Sequence, residues 1–185
     1  MKDDAFLTTL HEGDTIAVLL LLLERGDGVI MKDLAGVIPN YATRRARVDA
    51  MEEEGLVDVE TTYSPQKFTH VRLTDRGRSV ASSLATVNVF VAPGKADVLE
   101  KSICMKYAEP LLRLLRPSME LKQSEVLKTL PNYRTVVRTV AALEADGLLT
   151  VTPTETGYRT NVIRLTPLGK QVADVFEIVH RQITG

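Results

Sequence analysis

The stretch from Pro39 to Leu56, opening Pro39-Asn40-Tyr41 and closing Gly55-Leu56, recurs in the same chain as Pro131-Asn132-Tyr133 through Gly147-Leu148. Sliding the sequence against itself by 92 positions aligns roughly 68 residues, Asp14–Ala81 on Lys106–Ala173, without a gap and with about 30% identity. A chain of 185 residues can hold one large domain or two small ones. The repeat decides for two, residues 1–92 and 93–185, each large enough to bury a core of its own.

Within the first copy, Asp14 is placed to cap a helix whose interior, Thr15 to Arg25, is apolar on nearly every face and so must be covered on several sides. Gly26-Asp27-Gly28 stops it, and Val29-Ile30-Met31 reads as a very short strand. A second helix is expected from Lys32 to Val37. Pro39 breaks it, and Asn40 caps a third helix from Tyr41 to Glu54, closed by Gly55. Leu56 to Thr62 alternates as a strand, a polar turn containing Pro65 follows, and Phe68 to Leu73 returns. Thr74 then caps a last helix through Val80, Ala81 and Leu84.

Past the Pro93-Gly94 break, Ala96 to Tyr107 reads as helical with Val98, Leu99 and Ile103 inward. The second copy repeats the order: a helix from about Glu109 with Pro110 in its first turn, helices Lys122–Thr129 and Tyr133–Asp146, strands Leu148–Thr152 and Thr160–Leu165 about a turn from Thr154 to Tyr158, and a closing helix from Thr166. Val172, Val175, Phe176 and Val179 give that helix an apolar stripe, for its own domain or for a dimer partner.

Two short helices joined by a tight turn make a helix-turn-helix, and the hairpin after them makes a wing. That order, with Glu-Glu-Glu-Gly-Leu-Val after the third helix and Arg-Leu-Thr-Asp-Arg-Gly before the last, resembles winged helix-turn-helix domains of the MarR and PadR kind over nearly the whole chain, twice. The resemblance implies an α+β, mainly helical fold of two tandem winged helix-turn-helix domains. It also implies double-stranded DNA as partner, read by the third helix in the major groove with the wing on the backbone.

Helical phase nominates the contact residues. In copy two, Val136, Val140 and Leu143 form the buried stripe, leaving Arg134, Thr135, Arg138 and Thr139 on the open side. Arginine suits guanine because its planar fork donates to O6 and N7 together. The open positions of copy one are Ala42, Thr43, Ala46 and Arg47, while Arg44 occupies the slot of buried Val136 and Arg45 that of Val137. Either the stems of Arg44 and Arg45 lie across the surface with heads in solvent or on phosphate, or that helix is rotated slightly. Lys67 and Arg159 are the wing candidates. Arg72 and Arg164 either join them or pair with an acid of their own domain, such as Glu52 or Glu144. The two Pro-Asn-Tyr triplets read as turn, cap and packed ring.

Residues 1–92 carry 10 Lys/Arg against 14 Asp/Glu and residues 93–185 carry 13 against 10, so the second copy is the more phosphate-friendly half of a chain with net charge −1. One cysteine and three scattered histidines give no disulfide and no metal-ligand spacing, and no phosphate-binding glycine loop or catalytic set is visible. The expectation is no enzyme, no cofactor and no metal. The longest apolar run, Ile16 to Leu23, is too short to span a bilayer, and the acidic start Met1-Lys2-Asp3-Asp4 does not resemble a secretory leader, so a cytoplasmic place is expected. Two functions remain open: a transcriptional regulator using its joined winged helices as a built-in pseudo-dimer on duplex DNA, or a tandem winged-helix protein-interaction scaffold of the condensin-accessory or ESCRT kind, with a protein partner or homodimer in place of DNA.

Overall fold

The computed structural model describes residues 8–26, 28–63, 67–90, 101–154 and 161–185, the side chain of Asn88 excepted. The readings on Asp27, Pro65, the Pro93-Gly94 break, Val98, Leu99, the turn after Thr154 and Arg159 fall outside these residues. Within them the chain is α+β, with two three-stranded antiparallel sheets.

The first half runs α1 (Asp14–Arg25), β1 (Val29–Ile30), a 3-10 turn (Asp33–Gly36), α2 (Tyr41–Glu53), β2 (Val57–Thr62), β3 (Phe68–Leu73) and α3 (Asp75–Ala85), followed by a 3-10 segment, Thr86–Phe90. The second runs α4 (Ala108–Leu115), β4 (Glu120–Lys122), α5 (Gln123–Thr129), α6 (Tyr133–Ala145), β5 (Leu149–Pro153), β6 (Asn161–Leu165) and α7 (Pro167–Thr184). The sheet orders are β1-β3-β2 and β4-β6-β5. Their registers correspond: Val59 opposes Val71 and Val151 opposes Ile163.

The residues kept in both copies explain why the same local structure forms twice. Asn40 and Asn132 each accept from the backbone three residues on, at Thr43 (3.0 Å) and Thr135 (3.3 Å), which satisfies a donor orphaned at the helix start. At the other end of those helices, Gly55 and Gly147 take φ of 67° and 75°, which β-carbons disfavour. Thr74 Oγ1 donates to the Gly55 carbonyl at 2.7 Å and accepts from Gly77 N–H, and Thr166 does the same with Gly147 (2.6 Å) and Gly169. A Cβ on Gly77 or Gly169 would stand 1.8 or 1.9 Å from the carbonyl oxygen of Leu56 or Leu148. Helix and strand therefore meet at bare backbone.

Asp14 is the first residue of α1 and not its cap, which is Gly13, and the helix read to Tyr107 does not extend over 104–107, where Tyr107 takes φ of 69°. Two further expectations are corrected. The helix expected over Lys32 to Val37 is a single 3-10 turn, Asp33–Gly36, although Pro131 stands at the same place after the α-helical counterpart, so the proline is not what limits it. Its counterpart α5 completes seven residues, helped by Glu125, whose carboxylate accepts from Lys122 N–H at 2.8 Å. Secondly, β4 was not expected. Glu120 and Lys122 flank a lone Leu121, and pairing with β6, not local propensity, makes the strand.

The apolar side chains of both halves join in one continuous core. Helix α3 packs on α1 and also on α7, which packs on α4 as well, so the apolar stripe of the last helix is taken up inside the chain and spans the halves. The halves also meet where Tyr107 N–H donates to the His11 carbonyl at 2.7 Å and Gly13 lies against the Cys104 carbonyl with no room for a side chain. Among the described residues no helix is long and apolar enough to cross a membrane.

Candidate functional site

Helix α6 carries the arginines nominated in the second copy. Val136, Val140 and Leu143 are buried as the phase requires. On the opposite side Arg134 and Arg138 are exposed, one turn apart, and neither forms an ion pair among the described residues. Thr135 is half-buried beneath the Asn132 cap. Thr139 departs from the expected open side: it is 0% exposed, and its one hydroxyl proton is shared between the carbonyls of Lys106 (2.7 Å) and Thr135 (3.0 Å). The chain before α4 covers it, a tertiary contact that helical phase alone does not register.

The first copy's helix, α2, is engaged differently. Arg47, the residue phase put most clearly on its reading face, turns inward. Its guanidinium lies 2.8 Å from Asp14 and 3.2 Å from Glu12, with 15% of the side chain exposed. Glu12 also meets Lys106, so one carboxylate ties the two halves. Burial pushes the Glu12 carboxyl up, but the Lys106 hydrogen bond and the charges of Arg47, Lys106 and His11 outweigh it and hold the group below its ordinary value.

Arg44 is corrected too. Its head lies neither in solvent nor across the surface: the residue is 6% exposed, with Nη1–H donating to the carbonyls of Ile38 (2.7 Å) and Pro39 (3.3 Å) and the guanidinium 5.5 Å from the Tyr41 ring. Arg45 pairs with Asp49 one turn on, at 2.8 Å. Thr43 is exposed, its hydroxyl 3.2 Å from Asn40 Oδ1, and Lys67 is exposed with its ammonium 5.7 Å from the Tyr63 ring. Arg159 lies beyond the described residues.

Arg72 and Arg164 do pair within their own halves, but with other acids than expected. Arg72 stands 3.8 Å from Glu60 on the neighbouring strand and Arg164 meets Glu120 directly across the β4–β6 pair. Glu144 is used otherwise, accepting from Val151 N–H at 2.8 Å.

Sequence reasoning missed two residues. The rings of the repeated triplets are not packed: Tyr41 is 63% exposed and Tyr133 64%. Each opens the exposed end of its helix beside the arginines. The signal was present as an aromatic kept in both copies directly after an N-cap, where a side chain projects away from the helix it begins.

A separate ionic group is buried where α4 meets α7. Glu109, 0% exposed, pairs with Arg113 at 3.1 Å, Arg113 reaches Glu177 at 3.3 Å, and His180 Nδ1 stands 3.9 Å from Glu109. Burial pushes the Glu109 carboxyl up to about 7 against the pull of Arg113, with Glu177 and Glu54 adding to the rise.

Comparison of the chain with protein-family models, curated proteins and solved structures gave no match. The functional reading rests on the chain's own geometry.

Proposed function

We propose that the chain is a DNA-binding transcriptional regulator made of two joined winged helix-turn-helix modules, of which the second supplies the base-reading helix. One observation carries this: α6 presents Arg134 and Arg138 outward, one turn apart and without carboxylate partners among the described residues, beside an exposed Tyr133. Unpaired arginines at that spacing suit two neighbouring bases, or a base and a phosphate. The first module is the weaker reader, because Arg47 and Arg44 are committed to contacts within the fold. Lys67 and Thr43 are its remaining candidates, as backbone contacts. The pseudo-dimer reading is thereby narrowed to two modules held in fixed relation by a shared core, with unequal duties. Selection of bound duplexes from a random pool is the test: enrichment of one motif supports a single reading helix, two spaced motifs support two readers, and no enrichment contradicts the proposal.

A second reading, a protein-interaction scaffold, has its own observation. Val89 is 80% exposed and Phe90 38% on the 3-10 segment that packs against α7, and Ile178 on α7 is 52% exposed. Apolar side chains left in water suit a protein partner or a second copy. Light scattering and co-purification separate this reading from the first.

A further inference from the structure

In the repeat register Arg44 stands where the second half has Val136, 1% exposed in its core. A cation has thus replaced an apolar core residue, and no carboxylate accompanies it: Arg44 forms no ion pair among the described residues and its Nε finds no hydrogen-bond partner. Two backbone carbonyls and the Tyr41 ring orient the guanidinium without neutralising it. Burying a charge without a counter-charge is costly.

Arg44 also lines a groove of about 400 Å³ between β1, the start of α2 and the start of β3. Lys32 and Lys67 line the same groove, no acidic residue among the described ones does, and Met31, Tyr41 and Phe68 contribute its apolar surface. Three like charges facing one concavity repel each other unless an anion sits among them. The equivalents in the second half of Met31, Lys32, Arg44 and Phe68 are Gln123, Ser124, Val136 and Thr160, so the combination is particular to the first half.

We propose that this groove binds a small phosphomonoester of mononucleotide size, its phosphate set among Arg44, Lys32 and Lys67 and its flat or apolar part against Phe68 and Tyr41. A dianionic phosphate matches three cations better than the single charge of a backbone phosphodiester. A sunken arginine with apolar neighbours suits a ligand that enters, whereas a duplex backbone tracks an open positive surface. The volume lies in the range of small-ligand pockets. This inference does not depend on the duplex reading and stands or falls separately.

The test is thermal unfolding and calorimetric titration of the full chain with AMP, phenyl phosphate and inorganic phosphate at constant ionic strength, with adenosine as the uncharged control. Expected are a saturable rise in Tm with AMP and phenyl phosphate, a smaller one with inorganic phosphate and none with adenosine. Arg44→Val, which installs the residue of the second half, abolishes the response. Lys67→Gln, at an exposed site, weakens binding by roughly tenfold, the loss of one charge-assisted contact, and keeps the test informative if the first variant does not fold. No saturable response, a response unchanged in Lys67→Gln, or an equal response to adenosine overturns the proposal. So does Arg44→Val weakening duplex binding while AMP has no effect on the native chain, which would make the groove a seat for a backbone phosphate.

Discussion

Arg76, on α3 of the first half, donates its Nε–H to the Gln182 carbonyl at 2.7 Å, in the last turn of α7. It also donates to the Ile183 carbonyl, so one guanidinium satisfies two of the acceptors that the end of the chain's longest described helix would otherwise leave open. The aligned residue of the second half is Leu168. The contact therefore belongs to the way the halves join and not to the repeated unit. Arg76→Ala should lower unfolding stability by about 1 kcal/mol, a modest value because the residue is exposed. Urea unfolding measures it. A variant as stable as the native chain would mean that the Arg76 contacts add nothing to the packing of α3 on α7.

The paired glycines make a sharper claim about the repeat. Gly77→Ala and Gly169→Ala each force a methyl group onto a carbonyl oxygen, at Leu56 and Leu148 respectively. Overpacking against backbone costs about 1–3 kcal/mol or more, because no side chain can move aside. Both variants should be destabilised to a similar degree by chemical denaturation. Tolerance of one and not the other would show that the two helix–strand junctions are not equivalent.

Thr139 separates structure from contact. Val is close in shape but removes the hydroxyl that reaches the Lys106 carbonyl, so Thr139→Val should cost about 1–2 kcal/mol of stability and leave duplex affinity unchanged in the folded protein. A fall in affinity without a fall in stability would return Thr139 to the reading face.

The buried carboxyl of Glu109 sets a pH dependence. Its folded-state pKa is raised to about 7 from the ordinary carboxylate value, so between those limits the folded state holds the proton more tightly than the unfolded chain. Its contribution to stability is thus greatest at acid pH and falls as pH rises to about 7, by about 3 kcal/mol at most. Glu54, also raised by burial, works in the same sense. Glu12 works oppositely: its depressed pKa contributes stability above the ordinary carboxylate range that is lost as pH falls through the folded value. Glu177, held low by its hydrogen bonds and charge contacts with Arg113 and Arg181 despite burial, opposes it too, as does His180, lowered by burial and by Arg113. The difference between the native chain and Glu109→Gln isolates the Glu109 contribution, and the variant should gain relative stability as pH is raised from 5 to 8. Parallel stability profiles would show that Glu109 stays ionised throughout.

The sequence disclosed most of the secondary structure because repeat and chemistry agreed. The asparagine caps, the positive-φ glycines and the threonine caps each have a local cause that a single residue carries. The shortest elements were harder. The strand at Glu120–Lys122 depends on a partner strand some forty residues away, and the 3-10 turn at Asp33–Gly36 fills a stretch whose counterpart, before an equally placed proline, is α-helical. At the candidate site, helical phase placed Arg134, Arg138 and the buried valines and put Arg44 in a buried slot, but misjudged Arg47 and Thr139. Both are held by groups outside their own helices: the carboxylates of Glu12 and Asp14, and the Lys106 carbonyl. Phase gives a direction, and the neighbouring chain decides what lies there.

The proposed division of labour between the modules is most directly tested by duplex binding across salt for the native chain, Arg134→Ala, Arg138→Ala and Arg47→Ala, using a duplex from the selected pool. The result expected is salt-dependent binding that weakens by about 1–3 kcal/mol for whichever of Arg134 and Arg138 reads a base. One that contacts phosphate instead reduces the salt slope by about 1. Arg47→Ala should alter stability more than affinity. Absence of salt-dependent binding by the native chain, or an affinity that Arg134→Ala and Arg138→Ala leave intact while Arg47→Ala abolishes it, would contradict the assignment.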